Sequence, residues 1–305
     1  MPLETPPSGT QYVISAGDYR AVAVEVGGGV RELTRGDRPV LDGYAEDAIA
    51  DGGRGQVLAP WPNRLRGGEW SFGGRDMRLA LSEPAAGNAI HGLVRWAGWA
   101  VDTHETSRVV LRHRLHPHPG YPFTLDLAAE YALDADSGLT ATLSVTNVGP
   151  SPAPVAWGVH PYLSAGGGLV DGCELVVPAD TRVRTDAGIP VDTESVDGTA
   201  YDFRSARAIG NLHIDDTYTG LRPDDDGLVR VVLRAPDGLT RTLWMDGAHR
   251  WAQVYTGDTL VPARRRQGVA VEPMTAPANA LATGEGLVVL EPGRTHRGTW
   301  GVRAD

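Results

Sequence analysis

Leu125-Asp-Leu-Ala-Ala-Glu-Tyr-Ala-Leu133 and, beyond Asp134-Ala-Asp-Ser-Gly138, Leu139-Thr-Ala-Thr-Leu-Ser-Val-Thr146 carry the plainest structural signal in the chain. In the second run Leu139, Ala141, Leu143 and Val145 alternate strictly with Thr140, Thr142, Ser144 and Thr146. In the first, Leu125, Leu127, Ala129, Tyr131 and Leu133 alternate with mostly small or charged residues. A period of two puts each apolar set on one face of a pleated strand, and strands apolar on one face only are what a half-buried antiparallel sheet requires.

The same grammar extends in both directions. Val22, Val24 and Val26 line one face of Arg20 to Val26, which ends at Gly27-Gly-Gly29. Glu69 to Phe72 and Arg75 to Leu81 read as a hairpin about Gly73-Gly74, because paired glycines supply the positive φ angles of tight turns. Trp96 to Asp102, Arg108 to Leu115, Cys173 to Val177, Leu228 to Ala235, Leu239 to Met245 and Arg250 to Thr256 read as further strands, with Asp237-Gly and Asp246-Gly as turn signals. Val155 to Val159 reads as a short apolar strand after the turn-rich Pro150-Ser-Pro-Ala-Pro154. Amphipathic helical periodicity is missing, as are internal repeats and any stretch of linker quality. The expectation is one large antiparallel β-sandwich over residues 1–305.

Glycine (39) and proline (22) supply the many turns such a fold needs, while 41% hydrophobic residues supply its core. All 28 basic residues are arginine. The absence of lysine excludes Schiff-base, phosphate-loop and kinase-type lysine chemistry. A net charge of −10 argues against nucleic acid and anionic membrane as partners. Arg264-Arg-Arg266 is the one basic run, and it reads as solvated surface; Asp224-Asp-Asp226 reads as a surface loop rather than a metal site. With Cys173 alone, neither an intramolecular disulfide nor a cysteine-based zinc site can form. The first residues lack a basic start and an apolar run, so a cytoplasmic location is expected.

Five stretches depart from plain strand grammar by setting polar groups beside apolar runs. They are Asn63-Arg64 in Pro60-Trp-Pro-Asn-Arg-Leu65, His91 in Ile90-His-Gly-Leu93, and His160 before Pro161. The others are Asp215 in Ile214-Asp-Asp-Thr-Tyr-Thr-Gly220, and Gln253 in Ala252-Gln-Val-Tyr-Thr-Gly257 with Glu272 before Pro273. An imidazole and a carboxylate at strand ends are what proton shuffling requires if the fold joins them. The amide, guanidinium and carboxylate groups around them would suit a polyhydroxylated ligand. The plainer reading of Glu272 is a solvated carboxylate at a strand end, and that of His160 a core histidine bonded to a carbonyl.

Taken in order, these stretches resemble the aldose 1-epimerase, or galactose mutarotase, family over most of the chain, from about Val22 to Val302. Asn63-Arg64 matches the family's sugar-binding pair, His91-Gly92 its His-Gly motif and His160-Pro161-Tyr162 the motif of its general acid. Asp215, three residues before Tyr218, is a better match than Asp216 to its substrate-binding aspartate. Gln253 and Glu272 match its glutamine region and general base. Ala278 departs from the pattern, standing where a second proline is often found. The resemblance implies a galactose mutarotase-like supersandwich and a free aldose such as galactose or glucose as substrate. Glu272 would deprotonate the anomeric hydroxyl and His160 protonate the ring oxygen, with no metal and no cofactor. It leaves open a noncatalytic sugar-binding protein and a glycoside hydrolase with Asp215 and Glu272 as its two carboxyl groups. A monomer or homodimer is expected. A neutral sugar is expected over a phosphorylated one, because Arg64 is the only arginine in the constellation.

Overall fold

The computed structural model describes residues 5–305. The two runs that open the sequence argument form the antiparallel strands Leu125–Asp134 and Gly138–Asn147, paired Leu127 to Val145, Ala129 to Leu143 and Tyr131 to Ala141. The burial alternates along both, apolar side chains inward and threonines outward, as the period requires. Gly138–Asn147 pairs on its other edge with the C-terminal strand Thr295–Ala304, so residues far apart in sequence close the middle of a nine-stranded sheet.

An eight-stranded antiparallel sheet carries most of the polar motifs. Its order runs Ile189–Ser195, Ala179–Asp186, Asp215–Leu221, Trp251–Tyr255, Gly268–Met274, Gly158–Val159 and Val57–Leu58, with Tyr162–Ser164 also paired to Gly268–Met274. One buried cluster takes in Leu127, Leu143, Leu243 and Val302 of the first sheet and Ala252, Val254 and Val271 of the second, so the sheets share a core. A four-stranded sheet built from Gln11–Ala16, Tyr19–Val24, Val30–Arg35 and Arg38–Pro39 adds Ile14, Tyr19 and Leu33 to that core. The protein is an all-β, antiparallel supersandwich. Among the described residues no helix is long and apolar enough to cross a membrane.

Several expectations need correction. Val155 to Val159 is not one strand. Ala153–Val155 pairs with Val288–Leu290, and Gly158–Val159 pairs with Val57–Leu58. Between them the Trp157 amide donates to Thr275 Oγ1 at 2.9 Å instead of to a strand partner, and the chain crosses from one sheet to the other. Trp96 is half-exposed in a turn, and its strand is Ala100–His104. The strand beginning near Arg20 ends at Val24, leaving Val26 in a lone bridge to Gly98.

The basic run is not solvated throughout. Arg266 is buried and donates to Asp171, Asp258 and the carbonyls of Gly210 and Leu212, while Arg264 reaches Asp42 and the Gly43 carbonyl; only Arg265 is exposed. Charge count could not reveal those carbonyls and carboxylates, which come from other parts of the chain.

Candidate active site

Glu272 lies inside the strand Gly268–Met274, opposite Gln253 of Trp251–Tyr255, and its side chain is 3% exposed. The solvated-carboxylate reading is therefore overturned. Its Oε1 lies 3.1 Å from Nε2 of His160, which is itself buried at the end of Gly158–Val159. The core-histidine reading fails too, since the imidazole meets a carboxylate and both groups line a cavity of about 320 Å³.

The adjacent strand Asp215–Leu221 explains the two aspartates. Successive side chains point to opposite faces, so Asp215 faces the cavity while Asp216 is buried on the other side against Arg182 at 2.7 Å. Asp215 accepts from Gln253 Nε2 at 2.7 Å, while Gln253 Oε1 accepts from Thr217 Oγ1 and faces the Asn63 amide at 3.4 Å. These bonds fix which end of the Gln253 amide meets the carboxylate. Asn63 and His91 sit on left-handed backbone, at φ +54° and +61°, beside the short pair Arg64–Arg66 and Asn88–Ile90. The Asn63 N–H donates to His91 Nδ1 at 3.1 Å, which leaves the ring proton of neutral His91 on Nε2.

All seven residues singled out in the sequence, Asn63, Arg64, His91, His160, Asp215, Gln253 and Glu272, line this one cavity. Arg64 is not a free donor, because its guanidinium forms a two-pronged pair with Glu83 at 2.8 and 3.0 Å. The sequence reading missed Glu83, Arg95, Trp96, Tyr255 and Leu260 on the same wall. Arg95 is a second guanidinium there, so the count of one arginine behind the neutral-sugar expectation does not hold. No local pattern marks these residues, which occupy turns and a strand end.

Burial dominates the electrostatics. It pushes the Glu272 carboxyl well above the usual range, helped by the Asp215 charge and opposed by Arg64. Burial, then the Arg54 charge, brings His160 down to about 3. His91 is held well below its ordinary value by burial and by the neighbouring His160. Both members of the 3.1 Å pair thus resist charge, which favours one proton held between them, and they titrate as a coupled pair.

His91, His160 and Glu272 bring potential ligand atoms within 4.8 Å of one another, close enough for a metal ion. The donor set fits one poorly. His91 would have to shed the Nε2 proton that the Asn63 N–H holds there by occupying Nδ1.

A β-supersandwich with a buried imidazole–carboxylate pair at the floor of a polar cavity has the architecture of galactose mutarotase-like proteins. The GalM/aldose epimerase homologue from C. elegans superposes with a TM-score of 0.87 at 17% identity, covering 97% of this chain and 98% of that one. The galactose 1-epimerase from Lactobacillus acidophilus superposes with a TM-score of 0.80 at 20% identity, covering 95% and 92%. At such identities the likeness establishes the fold. The family model for aldose 1-epimerase matches residues 10–303, and the chain belongs to that family. Among its relatives, the uncharacterized protein YihR of Escherichia coli K12 is 34% identical over 291 residues, 95% of this chain and 92% of that protein. The aldose 1-epimerase of the same organism is 27% identical over 172 residues, 53% of this chain and 48% of that enzyme.

Proposed function

We propose that the chain, acting as one domain, is an aldose 1-epimerase that interconverts the α and β anomers of a free aldose. The observation that carries this reading is the 3.1 Å contact between His160 Nε2 and Glu272 Oε1, buried in a cavity whose walls otherwise offer hydroxyl-binding groups. Ring opening takes a proton from the anomeric hydroxyl and gives one to the ring oxygen. The C1 to ring-oxygen bond breaks as the C1 carbonyl forms. Rotation about the C1–C2 bond presents the other face, and reclosure reverses both transfers.

A pair holding one proton suits this cycle, since one member accepts while the other donates and the pair ends with the proton count it began with. For Glu272 to act as base and His160 as acid, the shared proton must first pass along their hydrogen bond to Nε2. Arg64, the charge that favours the Glu272 carboxylate, assists that transfer. A histidine of low proton affinity, once protonated, is a strong acid toward the weakly basic ring oxygen. Asn63, His91 through Nε2–H, Asp215 and Gln253 would hold the sugar hydroxyls, with Arg64 and Glu83 acting as one joined wall.

The test is to dissolve single anomers of several aldoses and follow optical rotation with and without the protein. Faster mutarotation supports the reading. Sugar binding without acceleration would favour a noncatalytic binding protein, and release of the aglycone from a glycoside would favour a hydrolase.

A further inference from the structure

Beside His160 stand two residues that the mechanism above does not use. Tyr162 lies parallel to the imidazole, with ring centroids 5.1 Å apart and planes 8° from parallel. Over the Tyr162 ring, 4.0 Å from its centroid, lies the guanidinium of Arg54. Arg54 is 2% exposed and is anchored by Asp42 at 2.6 Å and Asp51 at 3.1 Å, while its Nη2 makes no hydrogen bond among the described residues. The Tyr162 hydroxyl donates to the Gly52 carbonyl at 2.8 Å, and the Gly55 N–H donates to the His160 carbonyl at 2.9 Å. The loop carrying Arg54 therefore clasps both rings. Gly53 closes it at φ +77°, where an added Cβ would lie 2.5 Å from His160 Cδ2.

We propose that Arg54 and Tyr162 form a cationic platform that fixes the plane of the His160 imidazole toward Glu272 and disfavours the imidazolium, making Arg54 a positioning residue for proton transfer. This rests on the function proposed above. These contacts support it, because the Arg54 cation is attracted to the Tyr162 ring while its charge opposes a second positive charge on the neighbouring imidazole. Of the other groups around His160, Arg95 also opposes the imidazolium, Glu272 meets Nε2 at 3.1 Å, and the His91 ring centroid lies 5.4 Å away. A unit charge within about 10 Å at an effective dielectric near 20 moves a titration by at least about one pH unit.

The test replaces Arg54 by Met and by Lys in the full chain, and reads two quantities. One is the imidazole titration of His160 by NMR, assigned by comparison with His160→Gln. The other is the acid limb of the mutarotation rate. Arg54→Met should raise the His160 titration and the acid limb by about one pH unit, and Arg54→Lys should bring both back toward wild type. If Arg54→Met does not fold, Arg54→Met/Asp42→Asn removes the cation together with a carboxylate that contacts only arginines, Arg54 and Arg264. An unmoved His160 titration in whichever variant folds would overturn the platform. So would equal shifts in the Met and Lys variants, since those would mean disturbed packing. The NMR reading needs no turnover, so a protein with no mutarotase activity whose His160 still responds to Arg54 would refute the proposed function and leave the platform standing.

Discussion

Under the proposed function Glu272 and His160 act on one shared proton, and the consequences can be measured. Glu272→Gln and His160→Ala should each lower kcat at least about a hundredfold, and the double variant should be hardly slower than either, because a donor without its acceptor cannot complete ring opening. Calorimetric sugar affinity should stay within about tenfold, since these interactions are strongest in the transition state. A Glu272→Gln enzyme that keeps more than about a tenth of wild-type kcat would place the base elsewhere. Stability offers an independent reading. The folded-state Glu272 carboxyl is raised, so native protein keeps a proton that the unfolded chain releases above about pH 4.3. Wild-type stability should therefore fall relative to Glu272→Gln as pH rises above about 4.3 toward the raised folded value, by up to about 1.4 kcal/mol per pH unit. His160 adds its own dependence, with a folded value near 3 against about 6.5 unfolded, which lowers stability as pH falls through that window. Urea midpoints of the two proteins that run parallel across this range would show an ordinary carboxylate.

Among the elements, strands such as Gly138–Asn147 were legible because burial on one face writes a period of two directly into residue type. Val155 to Val159 was misread because composition reports how buried a stretch is, whereas the Thr275 hydroxyl that accepts from the Trp157 amide lies just past the end of the distant strand Gly268–Met274. The Arg264-Arg-Arg266 segment was misread for the same reason, and it makes a sharp test. Arg266→Ala should cost about 1–3 kcal/mol, because it leaves Asp171 and Asp258 without their cation and two carbonyls without a donor. Arg265→Ala, on an exposed neighbour, should leave the denaturation midpoint unchanged. Equal effects in a denaturant titration would return the segment to the solvated surface.

At the scale of the whole molecule, a mutarotase must speed approach to anomeric equilibrium without moving it, so the final optical rotation should be the same with and without protein. A shifted end point would mean a different reaction. The rate should also survive EDTA, given the His91 tautomer held by the Asn63 amide, and loss on chelation restored by added metal would sink that argument. The sequence by itself determined an all-β antiparallel architecture and a set of polar residues at odds with it, because strand periodicity and misplaced polarity are local properties. The resemblance then put those residues in a family order. Only the tertiary structure decided that they meet in one cavity, and that Glu272 is buried against His160 rather than solvated. It also decided that Arg64 is tied to Glu83, and that Arg54, Arg95 and Trp96 stand around the pair. Those are contacts between residues as much as about two hundred positions apart. A proton affinity is set by such contacts and by exclusion of water, neither of which is written in the residues adjacent along the chain.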